Sequence, residues 1–276
     1  MAFSEGYKRF IEDNLSIVNK NGQLVRFILN DIQNKYLLKA TNNDIILKAR
    51  QQGFSSLILA LFTADFILKP NTRNVIVADI SDNAMELLDR VKLYLETYTI
   101  NTGIDIKLKY NSKYELYNEI TKSRYTIGTA DKSDFGRSKT ITNLHFSEFS
   151  FYRDPESLLG GAMQAVVPEG RVIIETTANG FNFFKNYWDR SVAGETGFNP
   201  LFFKASDFYD KEFLERKKQE LERLYPQEYP ETPMEAFITS GESYFDKEAL
   251  AFYLKDTAND HKILRIRPRR VFCDWS

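Results

Sequence analysis

The run Lys48-Ala-Arg50-Gln51-Gln52-Gly53-Phe54-Ser55-Ser56 brings cations, a glycine and hydroxyls together, the combination that binds phosphate. Backbone N–H groups at a helix start cradle phosphate oxygens, a cation offsets their charge, and a hydroxyl ligates Mg²⁺. Against the phosphate-loop pattern G-x-x-x-x-G-K-[ST] the run reads K-x-x-x-x-G-F-S. Gly53 and Ser55 are in register. Phe54 stands where the lysine belongs, and Lys48, helped by Arg50, supplies the cation from the front of the loop. The competing reading is an ordinary helix N-terminus after a strand.

Hydrolysis of a nucleoside triphosphate also needs an acid at the end of a second strand, to orient the attacking water and complete the metal shell. Thr140-Ile-Thr-Asn-Leu-His-Phe-Ser147-Glu148 has that form, with Ser-Glu where Asp-Glu is usual. Glu148 is the candidate general base. The candidate metal contacts are Ser55 directly and Ser147 through a water. A third apolar run, Arg171-Val-Ile-Ile-Glu-Thr176-Thr177-Ala-Asn179-Gly180, ends in hydroxyl and amide groups able to sense a γ-phosphate. Taken alone, that ending also reads as β-favouring threonines and an Asn-Gly turn.

The elements that must hold these groups alternate. Short apolar runs at 45–48, 75–78, 141–147 and 171–176 read as strands, and each precedes a helical pattern, at 55–68, 83–97, 155–164 and 181–192. Such alternation predicts an α/β fold around a mainly parallel sheet. Residues 104–129 read instead as strands joined by short polar turns, an antiparallel extension. From residue 206 a charged helix at 211–224, a Pro-rich stretch and a further helix near 246–254 form an acidic appendage, with six basic against twelve acidic residues over 206–250. The segment 261–276 is basic, carrying Lys262, Arg265, Arg267, Arg269 and Arg270 against Asp274.

Composition narrows the classes. The 276 residues carry 37 Lys+Arg and 38 Asp+Glu, a formal charge of −1, so nucleic acid can be met only by a local patch. A 43% hydrophobic content predicts a folded core. One cysteine, Cys273, and two histidines, His145 and His261, leave neither a disulfide framework nor a structural zinc site. No run of about eighteen apolar residues occurs, and the N-terminal residues lack the regions of a signal peptide. A protein that is neither secreted nor membrane-spanning is therefore expected.

In their order along nearly the whole chain, these segments resemble the ATPase part of the tailed-bacteriophage terminase large subunit. Phe27-Ile-Leu-Asn-Asp-Ile-Gln33 is similar to that family's adenine-recognising segment, Lys48–Ser55 to its variant phosphate loop, and Thr176–Gly180 to its coupling motif. Asp134-Phe-Gly-Arg137-Ser lies where the family carries an arginine directed at a neighbouring subunit's ATP. Tyr225-Pro-Gln-Glu-Tyr-Pro-Glu-Thr-Pro-Met-Glu-Ala-Phe237, with Ser240-Gly241 and Phe245, resembles its lid.

The resemblance implies a P-loop NTPase of the ASCE type, with a core over 1–205, a lid over 206–258 and a basic linker over 259–276. It implies ATP and Mg²⁺ as cofactors, and Arg50, Gln51, Gln52, Phe54 and Ser56 beside Lys48, Gly53 and Ser55 on the phosphates. Gln33 would read adenine, Arg137 and Glu148 would be catalytic, and Thr176, Thr177, Asn179 and Gly180 would couple hydrolysis to motion. The implied partners are double-stranded DNA, a portal ring, a small terminase subunit and further copies of the chain in a ring, with a monomer expected in isolation. The implied location is the cytoplasm of an infected bacterium. Terminase large subunits usually continue into a nuclease; no nuclease carboxylates can be assigned here, so DNA cutting is not expected of this chain. Two rivals share part of the pattern: a helicase-like translocase, which needs a second motor domain, and a non-catalytic nucleotide-gated assembly module, favoured by Phe54 and Ser147.

Overall fold

The computed structural model describes residue 3, residues 5–130 and residues 140–238. Arg137, the helix expected near 246–254, Ser240, Gly241, Phe245 and the basic segment lie outside the described residues. In chain order the elements are α1 (Glu5–Asn14), β1 (Ser16–Val18), β2 (Leu24–Arg26), α2 (Asp31–Lys39), β3 (Asn43–Lys48), α3 (Phe54–Leu68) and β4 (Arg73–Ala78). They continue with α4 (Ser81–Thr102), β5 (Leu108–Asn111), β6 (Glu115–Asn118), β7 (Arg124–Thr129), β8 (Ile141–Ser147), α5 (Pro155–Met163) and β9 (Val166–Thr176). Last come α6 (Phe183–Val192), β10 (Asn199–Phe203), α7 (Lys211–Leu221), α8 (Tyr225–Glu228) and α9 (Pro233–Ile238).

Strands β3 and β4 are apolar on both faces and buried after their first residue, as a sheet covered by helices on both sides requires. The main sheet has the order β10-β3-β9-β8-β4-β7-β6-β5. Every pair from β10 to β7 is parallel, while β7, β6 and β5 pair antiparallel, so the expected extension is present. One face is packed by α1 to α4 around Ile11, Leu61, Phe62 and Val91; the other by α5, α6 and α9 around Leu159, Phe184 and Phe237. Helix α3 is buried on nearly every side, which explains its lack of a polar stripe. Glycine ends α4: Gly103 takes a φ of 71°, where other residues are strained.

Two elements depart from the sequence pattern. β9 begins at Val166 rather than 171, through Pro168 and Gly170. Its pairing with β8 slips between Ile141 and Asn143, and a Cβ on Gly170 would meet Val166 Cγ1 at 2.5 Å. An irregular lead-in of this kind has no clean period to read. β10 was not expected at all; Pro200 within a short run argues against a strand, yet β10 is the sheet edge, where proline is tolerated. No described helix is long and apolar enough to cross a membrane.

The strand order decides where chemistry can gather. β9 lies between β3, which leads into the phosphate-loop candidate, and β8, which leads into Glu148. These strands are parallel neighbours, so their C-terminal ends meet on one side of the sheet.

Candidate functional site

β3 delivers Lys48 buried at its last position, and the chain then turns sharply. Gln51 and Gly53 both take left-handed backbone, with φ of 57° and 81°. Gly53 is required twice over, because a Cβ there would also sit 2.9 Å from Gln33 Nε2. The turn is held from several sides: Gln33 Nε2 donates to Gly53 O (2.8 Å), Gln52 Nε2 to Lys204 O (2.9 Å), and Tyr209 OH to Arg50 O (2.8 Å). Helix α3 then begins with no side-chain cap, so its first N–H groups form a site for an anion.

Phe54 explains its own presence. Its ring is buried, 4.6 Å from the Phe203 ring and 5.8 Å from that of Tyr36, so only its backbone serves the loop. Restoring the standard residue should accordingly fail. Phe54→Lys loses the aromatic packing, worth about 3–5 kcal/mol for a buried Phe, and adds an unpaired buried charge. A large fall in urea midpoint is expected; a variant as stable as wild type would show that the ring is not a core element.

The charged centre has Lys48 at its middle. Its Nζ lies 3.0 Å from Glu148 Oε1 and 3.1 Å from Glu175 Oε2. Glu175 is fully buried, and its Oε1 accepts from Ser55 Oγ (2.7 Å) and Ser147 Oγ (2.8 Å), with His145 Nε2 at 3.3 Å. Burial alone pushes Lys48 down and Glu175 up. Their proximity reverses both: the two carboxylates raise Lys48, and Lys48 with the surrounding donors holds Glu175 well below the usual carboxylate range. The pair is ionised at neutral pH.

Glu148 follows β8 with a φ of 55°, uncommon for a residue with a side chain. Its N–H donates to Glu175 O (2.8 Å), and its Oε2 accepts from Thr177 N (3.2 Å), with the Thr176 and Thr177 hydroxyls each at 3.4 Å. The carboxylate is thereby aimed at Lys48 and remains partly exposed.

The other sequence candidates divide. Gln33 is buried with both ends of its amide engaged: Oε1 accepts from Asn30 N in a capping box at the start of α2, and Nε2 holds Gly53 O. It braces the loop before α3. Arg50 is exposed and paired with Glu228 (3.1 Å), Gln51 faces solvent, and Gln52 points into the protein. Ser56 Oγ accepts from Arg90 Nη1 at 3.3 Å. Ser147 reaches the centre only through Glu175. Thr176 Oγ1 is 2.8 Å from Ser150 Oγ, Asn179 Nδ2 donates to Ser150 O (3.3 Å), and Gly180 turns the chain with φ 66°. Ala178 O accepts from Gln227 Nε2 at 2.9 Å, a link from this segment to α8.

Glu175, His145 and Arg90 were not among the sequence candidates. The available signal was Glu175 itself, an acid that directly follows the apolar run Val172-Ile173-Ile174 within one strand, since acids are buried only when partnered. A cavity of about 910 Å³ runs from Lys48, Ser55 and Glu148 along the loop to Lys20 and Arg90. Among the described residues no three His, Cys, Asp or Glu side chains are grouped to hold a metal ion alone. Mg²⁺ is normally held by one or two carboxylates together with phosphate oxygens. The Ser55 hydroxyl, which donates to the Glu175 carboxylate at 2.7 Å, fits a site in which the hydroxyl would meet the ion beside phosphate oxygens with the carboxylate behind it.

No protein-family model matches the chain. Among solved structures, the large terminase ATPase domain of Thermus phage P74-26 has a TM-score of 0.59 at 15% identity, covering 73% of this chain and 92% of that one. The HK97 bacteriophage large terminase has 0.60 at 17%, covering 92% of this chain and 52% of that one. The large terminase of a thermophilic bacteriophage has 0.55 at 14%, covering 71% and 51%; that protein has also been solved with ADP and with ATP-gamma-S. The chain thus has the α/β fold of the phage large terminase ATPase domains, and spans about half the length of the last two proteins.

Proposed function

We propose that this chain is the ATP-hydrolysing motor domain of a viral terminase large subunit, driving double-stranded DNA into a procapsid. The observation that carries this reading is the meeting of Lys48, Ser55 and Glu148 at the strand ends, beside an uncapped helix start and a cavity of nucleotide size.

On this reading the triphosphate lies on the loop before α3. Backbone N–H groups of the loop and helix start bind its oxygens, and Lys48 turns from Glu148 to the β- and γ-phosphates. Ser55, with Glu175 behind it, would hold Mg²⁺, which neutralises charge on the phosphate oxygens. Release from Lys48 frees Glu148 to accept the proton of the attacking water, while Thr177 N and the neighbouring hydroxyls keep its carboxylate oriented. Thr176 to Gly180 pass the change through Ala178 to Gln227 and the segment from Ser206, the proposed lid. Arg137 is proposed as the arginine that meets the ATP of an adjacent subunit. The portal ring, the small subunit and other copies of the chain are the proposed partners, in the cytoplasm of the infected cell.

The test is ATP hydrolysis by the full chain, with and without double-stranded DNA and portal-bearing procapsids. Turnover that rises with DNA and procapsids supports the reading. Absence of both nucleotide binding and turnover in every mixture overturns it.

A further inference from the structure

The strand that should supply the metal-shell carboxylate, β8, ends in Ser147, yet its neighbour carries an acid at the matching height. β9 pairs with β8 on one side and with β3 on the other, and the register sets Glu175 opposite Ser147 and opposite Ile46. Laterally paired residues point to the same face of a sheet. Glu175 therefore enters the space that a carboxylate at position 147 would occupy, with one more methylene of reach.

Its contacts match that post. A shell carboxylate must fix the loop hydroxyl, and Glu175 Oε1 accepts from Ser55 Oγ at 2.7 Å. The residue in the usual acid position has become its donor, with Ser147 Oγ at 2.8 Å and His145 Nε2 at 3.3 Å on the same oxygen. The other oxygen, Oε2, forms no hydrogen bond and is held by the Lys48 ammonium at 3.1 Å. When Lys48 moves to phosphate, Oε2 is left inside the site without a partner. A buried carboxylate oxygen in that position needs a cation or a donor, and a water on Mg²⁺ provides one.

We propose that Glu175 is the carboxylate that orients Ser55 and the hydration shell of the bound magnesium, replacing from β9 the acid that β8 lacks at Ser147. Glu175 is a positioning residue, acting through Ser55 and metal-bound water. The proposal deepens the ATPase reading and rests on it.

The experiment uses the full chain, ADP, and Mn²⁺ as the metal probe, with free Mn²⁺ followed by electron paramagnetic resonance. Glu175→Gln keeps an acceptor for Ser55 and Ser147 but removes the charge. It should bind metal-free ADP as wild type does and take up Mn²⁺ with ADP about 10–100-fold more weakly, the usual loss for an outer-shell partner. Ser147→Asp combined with Glu175→Gln returns the carboxylate to β8 and should recover part of that loss. A folded Glu175→Gln protein with wild-type Mn²⁺ affinity overturns the proposal and leaves the ATPase reading standing. Wild-type protein that binds neither ADP nor Mn²⁺ with ADP overturns both. Should the single variant fail to fold by circular dichroism, the double variant decides: folded and within about tenfold of wild type for Mn²⁺ supports the proposal, whereas folded with ADP bound but no Mn²⁺ uptake overturns it.

Discussion

Lys48→Met should abolish measurable turnover and also destabilise the protein. The catalytic loss follows from removing the one buried cation, among the described residues, beside the proposed phosphate position; losing a single preorganised charge of this kind costs about 10²–10³-fold in rate. The stability loss has a separate origin. Glu175 is fully buried, and without the ammonium 3.1 Å away its charge has hydrogen-bond donors but no counter-ion. Breaking one side of a buried pair costs about 3–5 kcal/mol. The two losses separate in a double variant: adding Glu175→Gln to Lys48→Met removes the stranded charge, so the urea midpoint should climb back while phosphate release stays at background. The coupling is visible because the two residues touch. A double variant no more stable than Lys48→Met would mean that Lys48 stabilises the fold by packing alone.

Glu148→Gln should give the opposite profile, a stable protein that binds ATP and does not turn it over. Glu148 is partly exposed, and Gln keeps an oxygen for Thr177 N, so stability should change by no more than about 1 kcal/mol. Loss of a general base lowers the chemical step by about 10²–10⁴-fold. Single-turnover phosphate release, beside nucleotide binding followed by fluorescence, separates the step from binding. Near-normal release would exclude Glu148 as the base. Glu175 is a poor understudy for that role, being fully enclosed with its oxygens already held by Lys48, Ser55 and Ser147.

The strand–helix alternation was legible because β3, β4 and β8 are compact apolar runs with polar turns beside them. The tight turn into α3 was legible because Gly53 is fixed by backbone geometry and Ser55 follows it in register, and both stand where Phe54 departs from the pattern. Glu175 was legible as an acid beside an apolar run, but its partners were not, for a reason that concerns space. A sequence gives strands in chain order, whereas the value of Glu175 depends on β9 lying between β3 and β8. Gln33 was visible as a residue that matters, but its hold on a helix cap and on the Gly53 carbonyl twenty residues away was not, because contacts between segments are not written in either one. Phe54 reads as a lost lysine until Tyr36 and Phe203, distant in the chain, are seen against its ring.

Helix α8 is one turn long, and its last two residues hold different parts of the machine. Gln227 grips Ala178 O, while Glu228 holds Arg50 through both its carboxylate and its backbone oxygen. Two anchors on adjacent residues make a crank with almost no slack. If the end of β9 shifts against the loop before α3, the turn cannot stretch to follow and must move as a unit. The next element is α9, whose Ala236 and Phe237 are buried in the core of the sheet face that β9 helps to form. Such a shift would therefore be met by repacking under α9 and could not be absorbed by the turn alone.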